Sequence, residues 1–181
     1  MATTTKPAAT EEDLLSTPRD GQKYELVDGQ IRVSPAGNRH GSVCVQLATL
    51  LNTFVKERHL GYVFDSSTGF RLAGGNVRVP DVSFVAYGRY PGEQVPEGFG
   101  DLAPDLAVEV LSPGDRSRDI LDKVGEYLQA GVRLFWVIDP RERTAAVHKS
   151  LTDVRTLGPN DSLDGEDVVA GFRCRLAAVI D

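Results

Sequence analysis

The sequence contains little cysteine and no long apolar segment. Its two cysteines, Cys44 and Cys174, lie far apart and lack the paired spacing of a zinc site or a disulfide framework. The apolar stretches are too short to span a bilayer, and the amino-terminal MATTTKPAAT has no cationic region followed by an apolar stretch. We therefore expect two core cysteines, no membrane contact and a cytoplasmic location.

Positive charge is also in short supply. The chain has 20 Lys and Arg against 26 Asp and Glu, which gives a net charge of −6 and a pI near 5.1. Nucleic-acid affinity that does not depend on base sequence comes mainly from Lys and Arg, so this balance counts against a broad DNA-binding face. A metal site needs clustered acids, however, and Arg116, Arg118 and Lys123 supply a local basic group.

Length and composition indicate one globular domain. Hydrophobic residues make up 41% of the chain and charged residues 25%, close to the averages of soluble folded proteins. A chain of 181 residues suffices for one core. We interpret residues 1–10 as a disordered tail and residues 11–181 as a single domain, which begins with a short helix capped by Thr10.

Residue patterns predict both helices and strands. Residues 22–34 form a predicted hairpin around an Asp-Gly pair, which tolerates the backbone of a tight turn. Apolar residues recur at helical spacing over residues 38–58 and 117–130, which predicts two long helices. Short β-rich segments between residues 61 and 86 are typical of a meander.

A glutamate interrupts a predicted central strand. Glu109 stands in the segment LAVEVL, whose other residues favour full burial. An ionised carboxylate in such surroundings costs several kcal/mol unless a cation or hydrogen-bond donors compensate it. Glu109 is therefore a candidate site residue, although a structural ion pair or a strand end near solvent would also explain it.

A second acid, Asp81, opens another predicted strand directly after a proline. If this strand neighbours the Glu109 strand, both carboxylates can approach one point, where Mg²⁺ would find two acids and the backbone carbonyl of Val110 as ligands. Taken alone, a Pro-Asp pair usually marks a turn. Asp105 follows another proline and shares a strand face with Glu109, so it is a rival, but a turn at the strand entry explains it equally well.

One lysine stands at the border of an apolar helical stripe. Lys123 lies next to Val124 and three residues after Ile120 in the second predicted long helix. From there its ammonium can reach the sheet and stabilise charge that develops on a phosphate, or position the attacking water. The alternative is a solvent-facing lysine that pairs with Asp119 at the i,i+4 spacing.

Several segments, taken in order, carry a family resemblance. They are YELVDG at 24–29, PDV at 80–82, PDLAVEVLSP at 104–113, Asp119 with Lys123 and Tyr127, and GV at 131–132 leading to FWVIDP at 135–140. Together they resemble the Uma-type restriction endonucleases, which belong to the PD-(D/E)XK nuclease superfamily. The order and spacing of the segments carry the resemblance, rather than any single motif.

The resemblance implies an α/β (α+β) fold of the restriction-endonuclease type, a mixed central β-sheet flanked by helices. It also implies Asp81 and Glu109 as the metal-binding acids. The lysine that the superfamily places two residues after the glutamate is replaced by Leu111. In the Uma-type branch the lysine comes from the following helix, where Lys123 stands. Glu25, in the matching Tyr-Glu-Leu segment, is implied as a third acid near the metal, unless it is only a charge at the hairpin edge.

Histidine and tryptophan add little to this interpretation. His40 lies near the start of the first predicted long helix, where an imidazole can contact a phosphate, but a histidine there is more often a polar surface residue. His59 and His148 have the pattern of ordinary structural residues. Trp136 stands at a strand centre, where tryptophan is more often core than a platform for bases.

The sequence thus predicts a Mg²⁺-dependent endonuclease, with Mn²⁺ as a substitute cation, that hydrolyses phosphodiester bonds of DNA. Asp81 and Glu109 are expected to hold the cation, and Lys123 and Glu25 to assist. Cleavage of two strands favours a homodimer, because two related sites cut them most simply. The alternatives are a non-catalytic nucleic-acid-binding or protein-interaction module on the same fold, and a metal-dependent hydrolase of another phosphodiester.

Overall fold

A computed structural model describes residues 7–34 and 37–181. The helices in these ranges are α1 (Glu11–Leu15), α2 (Asn38–Glu57), α3 (Ser117–Gln129) and α4 (Ala177–Ile180). The strands in the same ranges are β1 (Lys23–Val27), β2 (Gln30–Ser34), β3 (Gly61–Asp65), β4 (Phe70–Arg71), β5 (Val77–Arg78), β6 (Val82–Ala86), β7 (Leu106–Val110), β8 (Leu134–Asp139), β9 (Thr144–His148), β10 (Val154–Leu157), β11 (Ser162–Asp164) and β12 (Arg173–Arg175). Among the described helices, none combines the length and apolar character that crossing a bilayer requires.

Six strands form a mixed central sheet in the order β10-β9-β8-β7-β6-β3. β7 and β8 run parallel, and the other neighbouring pairs are antiparallel. Helix α3 is the crossover between the two parallel strands. All five residues of β7 are buried, as expected for a strand that is covered on both faces. The predicted mixed sheet flanked by helices is confirmed.

The two long helices cover opposite faces of this sheet. Helix α2 buries one stripe against the first face, and its members recur every four residues: Val43, Leu47, Leu51 and Val55. Helix α3 buries Val124 and Tyr127 in a second cluster that also contains Phe135 of β8. Both predicted long helices are present close to their predicted bounds. Their burial follows from apolar periodicity alone.

A second sheet of four strands, in the order β2-β1-β5-β4, carries the predicted hairpin. Asp28 and Gly29 form its turn, and both have positive φ angles, 50° and 69°. The predicted meander over residues 61–86 is wrong, because β3 pairs with β6 in the central sheet whereas β5 pairs with β1 and β4. Alternating apolar residues identify strands but do not say which strands pair.

The predicted disordered tail, residues 1–10, lies partly outside the described residues. In its described part, the side chain of Thr10 caps α1 in a capping box with Asp13. The N–H of Ala9 donates to the Gly29 carbonyl at 2.7 Å. The chain therefore packs on the hairpin before residue 11, and the single domain over residues 11–181 stays a prediction.

Candidate active site

Asp81 and Glu109 face each other across two neighbouring strands of the central sheet. β6 and β7 are antiparallel with Val82 opposite Val108, so the preceding residue Asp81 lies opposite Glu109. The N–H of Asp81 donates to the Val108 carbonyl at 2.9 Å, which continues the ladder up to the site. The structure thus brings the two predicted acids together.

The carboxylate of Asp81 is buried and held from three sides. Its Oδ1 accepts a hydrogen bond from Lys23 Nζ at 2.8 Å, and its Oδ2 lies 3.0 Å from His40 Nε2. The N–H of Val110 donates to the same Oδ2 at 2.8 Å. Val110 therefore contacts the site through its amide N–H, and the role of its carbonyl as a metal ligand stays a prediction.

Glu109 is compensated by two ammonium groups. Its side chain is 7% exposed, and its Oε1 lies 2.8 Å from Lys123 Nζ while Oε2 lies 3.5 Å from Lys23 Nζ. Oε1 has no partner in hydrogen-bond geometry among the described residues, so its contact with Lys123 is an ion pair without a well-directed hydrogen bond. These charges explain how an acid is tolerated in an apolar strand.

Lys123 points inward from helix α3. It is 8% exposed, and its Nζ contacts both Glu109 and Glu25, the latter at 3.2 Å. The alternative of a solvent-facing lysine that pairs with Asp119 is wrong, because Lys123 is buried and its Nζ contacts these two acids. The ammonium thus lies between two acids that come from different sheets.

Glu25 belongs to β1, which is an inner strand of the small sheet and not its edge. Its carboxylate is buried, with Oε1 accepting from the Val79 N–H at 2.8 Å and Oε2 accepting from Arg78 Nη1 at 3.2 Å. The reading of Glu25 as a hairpin edge charge is therefore wrong. Its contact with Lys123 brings the third predicted acid into the same cluster.

Lys23 is a site residue that the sequence did not single out. It stands two residues before Glu25 on β1, and its side chain is 11% exposed. Its Nζ bridges Asp81 and Glu109. One signal was available: residues 23 and 25 share a strand face, so an inward Glu25 requires an inward Lys23.

His40 and Cys44 complete the wall of the site on helix α2. They stand one helical turn apart, with Cys44 Sγ 3.6 Å from His40 Nδ1. Possible ligand atoms of His40, Cys44 and Asp81 lie within 4.8 Å of one another. Burial raises the pKa of the Cys44 thiol to about 12, and a protonated thiol is a poor metal ligand. His40 acts on Asp81 rather than facing open solvent.

The pKa values of the three acids are shifted in different directions. Burial raises the pKa of Glu109, and the two lysines offset this only in part. For Asp81, burial acts in the same direction, but the charge of Lys23 and the hydrogen bond from His40 outweigh it, so the pKa is lowered. The pKa of Glu25 is also lowered, because Lys123, Lys23 and Arg78 outweigh its burial. Glu109 therefore protonates more readily than Asp81 and Glu25.

Asp105 lies outside this cluster, at the opposite end of β7 from Glu109. Its carboxylate accepts a hydrogen bond from the Ala86 N–H at 2.9 Å and pairs with Arg89. These contacts anchor the strand entry and the start of the loop after β6. The turn interpretation of Asp105 therefore agrees with the structure better than a metal-binding role.

The cluster opens into a cleft of about 1080 Å³. The cleft runs between the β1-β2 hairpin, the start of α2, and the segment from Ser112 to the start of α3. Asp81, Glu109 and Lys123 form its floor, and Arg32 lies at its margin, as do several acids: Asp20, Asp65, Asp115 and Asp119. The margin is acidic, in agreement with the net charge of the chain.

The donor set of the cluster fits a hard divalent cation. Carboxylate oxygens of Asp81 and Glu109 converge on one point, and Mg²⁺ prefers such oxygens. The other oxygen of Glu109, Oε1, has no well-directed hydrogen bond among the described residues and is held by its ion pair with Lys123. The third acid, Glu25, is engaged by Arg78 and by a backbone N–H, so it suits a supporting position.

Comparisons with known proteins agree with this fold. A crystal structure of a "putative nuclease belonging to DUF820" from Anabaena variabilis superimposes with a TM-score of 0.81 at 20% identity, over 94% of this chain and 97% of that one. The structure of a DrdV–DNA complex aligns with a TM-score of 0.47 at 16% identity, over 80% of this chain and 12% of that one, a likeness too weak for argument. No curated protein matches the chain. Residues 11–178 match the Uma2 family, described as "Putative restriction endonuclease", and the chain therefore belongs to that family.

Proposed function

We propose that this protein is a Mg²⁺-dependent endonuclease that hydrolyses phosphodiester bonds of DNA. The single observation that carries the proposal is the convergence of Asp81, Glu109 and Lys123 at the floor of one cleft. Membership of the Uma2 family supports a nuclease. The lysine that follows the glutamate by two residues in the superfamily is absent here, and Lys123 from α3 takes its place.

Asp81 and Glu109 are the residues that would hold Mg²⁺, or Mn²⁺ in its place. When bound, such a cation supplies Lewis acidity toward the phosphate and a water of lowered pKa as the nucleophile. The ionised state of Asp81 suits this role, because Lys23 and His40 keep its pKa low. The hydrogen bond from the Val110 N–H fixes the orientation of its carboxylate.

Lys123 supplies a positive charge next to the reacting phosphate. Its ammonium is fixed between Glu109 and Glu25, so it needs little reorganisation when negative charge develops in the transition state. Both carboxylate oxygens of Glu25 already accept hydrogen bonds, one from Arg78 and one from the Val79 N–H, so Glu25 is less suited to bind a cation directly. We assign Glu25 the role of positioning Lys123.

Nicking of supercoiled plasmid in the presence of Mg²⁺ tests the proposal. The wild type should nick, whereas Asp81→Ala, Glu109→Ala and Lys123→Ala should each lose at least about 100-fold in rate. Asp122→Ala is the matched control, since this exposed residue precedes Lys123 on the same helix but faces away from the cleft. Equal cleavage by all variants would assign the activity to a contaminant or to another site.

A non-catalytic module on the same fold is the second candidate. The observation that favours it is the neutralisation of Asp81 and Glu109 by Lys23, together with the acidic margin of the cleft. Such a module would bind nucleic acid or protein without binding a cation. Calorimetric titration separates the candidates, because a wild type that binds neither Mg²⁺ nor Mn²⁺ would support the module.

The remaining parts of the proposal concern substrate and assembly. DNA is proposed over another phosphodiester because of the family description. We further propose a cytoplasmic homodimer, since two related sites most simply cut the two strands of a duplex. Sedimentation at several protein concentrations tests the dimer, and a monomer at all concentrations would contradict it.

A further inference from the structure

Lys23 occupies the position between the two acids that a divalent cation requires. Its Nζ lies 2.8 Å from Asp81 Oδ1 and 3.5 Å from Glu109 Oε2. These are the carboxylates that we expect to hold the metal. The other ammonium of the cluster, on Lys123, contacts the second oxygen of Glu109 and does not bridge the pair.

Charge balance prevents the Lys23 ammonium and a divalent cation from occupying this position at the same time. The three acids Asp81, Glu109 and Glu25 already face three cations within one buried cluster: the ammonium groups of Lys23 and Lys123 and the guanidinium of Arg78. Adding a divalent cation at the same carboxylate oxygens would place it only a few ångströms from the Lys23 ammonium. Like charges at such a separation repel strongly where water is largely excluded.

The Lys23 ammonium can move from between the two acids into the cleft. It belongs to the residues that line the cleft, and its side chain is 11% exposed, against 2% for Asp81 and 7% for Glu109. The flexible four-carbon stem of lysine allows the ammonium to move several ångströms while the backbone of β1 stays in place. Two exposed acids, Asp20 and Asp65, line the same cleft and could pair with the displaced ammonium.

We propose that Lys23 is an internal counter-cation that competes with the divalent metal for Asp81 and Glu109. In the metal-free protein the ammonium keeps the two buried acids compensated and the strands β6 and β7 in register. When metal binds, the ammonium withdraws toward the cleft, where it becomes available to contact a phosphate. Lys23 thus lowers the apparent metal affinity and stabilises the metal-free fold. This inference rests on the proposed metal site.

Calorimetric titration with Mn²⁺ and Mg²⁺ tests the competition in the wild type and in Lys23→Met. We expect Lys23→Met to bind the cation at least about tenfold more tightly, since a competing charge is removed. Lys56→Met is the matched control, because this exposed lysine of α2 lies away from the cluster, and its metal affinity should equal that of the wild type.

Thermal unfolding provides the second readout. In EDTA, Lys23→Met should melt below the wild type, because two acids lose their counter-cation, and Mn²⁺ should raise its melting temperature more than that of the wild type. If Lys23→Met does not fold without metal, Lys23→Gln replaces it, since the amide still donates to Asp81 without carrying charge. The same gain in affinity is expected for this variant.

The outcomes separate this inference from the proposed function. Equal or weaker metal binding by Lys23→Met and Lys23→Gln would overturn the competition, whether or not the wild type cuts DNA. Tighter binding by these variants in a protein that never cuts DNA would support the competition and contradict the nuclease. Absence of metal binding in every variant would overturn both.

Discussion

At the scale of single residues, Lys123 is the ammonium that connects the buried acids of the two sheets, Glu25 and Glu109. We expect Lys123→Met to lower the free energy of unfolding by about 3–5 kcal/mol, because it removes the shared partner of Glu25 and Glu109. Urea denaturation of the metal-free protein measures this. The control Lys56→Met should change stability by about 0.5 kcal/mol or less.

A double variant checks the cause. If the loss arises from uncompensated charge, Glu109→Gln in the Lys123→Met background should recover part of the stability, because a neutral amide needs no counter-cation. An additive loss in the double variant would mean that Lys123 acts through packing of its stem and not through its charge.

His148 gives the molecule a residue-scale dependence on pH. It is buried in β9 with no described partner for Nδ1, and burial lowers its pKa. The His148 imidazole therefore binds a proton less readily in the folded state than in the unfolded state. Protonation of His148 consequently favours unfolding, so the stability is highest above the unfolded pKa of about 6.5 and decreases as the pH falls below it. As the pH falls below about 6.5, the free energy of unfolding should fall less steeply in His148→Gln than in the wild type. His59→Asn, at an exposed position, should keep the full slope.

At the scale of elements, the site depends on how strand β3 and helix α3 pack. A Cβ atom on Gly61 would lie 2.1 Å from the Val85 carbonyl oxygen and 2.8 Å from Ala86 Cα. Both atoms belong to the backbone of β6, which leads directly from Asp81. We expect Gly61→Ala to destabilise the protein by about 3 kcal/mol or more, since the two strands must separate.

Gly125 of α3 is a matched glycine at which substitution by alanine should raise the stability. A Cβ there would meet only Leu151 Cδ2 at 3.9 Å, an ordinary contact. Gly125→Ala should stabilise the protein by about 0.5–1 kcal/mol, because alanine loses less conformational freedom in a helix. Thermal denaturation measures both variants. A Gly61→Ala protein as stable as the wild type would contradict the pairing of β3 with β6.

A salt-bridged strut connects the small sheet to α3. Glu126 of α3 accepts hydrogen bonds from Arg78 Nε and from Asn76 Nδ2, each at 2.7 Å. Arg78 in turn contacts Glu25, so the strut sets the distance between Glu25 and Lys123. This explains how a hairpin that lies outside the central sheet supplies Lys23 and Glu25 to the charged cluster.

At the scale of the whole molecule, the negative charge governs how DNA can bind. With a net charge of −6 and acids around the cleft, the protein should bind a DNA duplex weakly in EDTA. Ca²⁺, added in place of Mg²⁺ to prevent cleavage, should strengthen binding at least about tenfold, because it offsets the acids at the cleft floor. Fluorescence anisotropy of labelled DNA measures this, and equal affinity in EDTA and Ca²⁺ would contradict it. In Asp81→Asn, Ca²⁺ should no longer increase the affinity for DNA.

Local sequence was enough to predict the elements that surround the site. The four-residue spacing of Val43, Leu47 and Leu51 predicted α2, and the Asp28-Gly29 pair predicted the hairpin turn. The burial of Glu109 followed from its apolar neighbours alone. These features depend on interactions within a few residues, and such interactions can be read along the chain.

The partners of these residues were decided by the tertiary structure. Lys23 lies 58 positions from Asp81 along the chain, and no periodicity links them. Strands β4 and β5 pair in the small sheet and not in the predicted meander, because strand pairing depends on which edges the folded sheets present. The sequence by itself thus determined the helices, the hairpin and the burial of Glu109. Which cations compensate those acids was settled only by folding, because charge pairing acts through space and not along the chain.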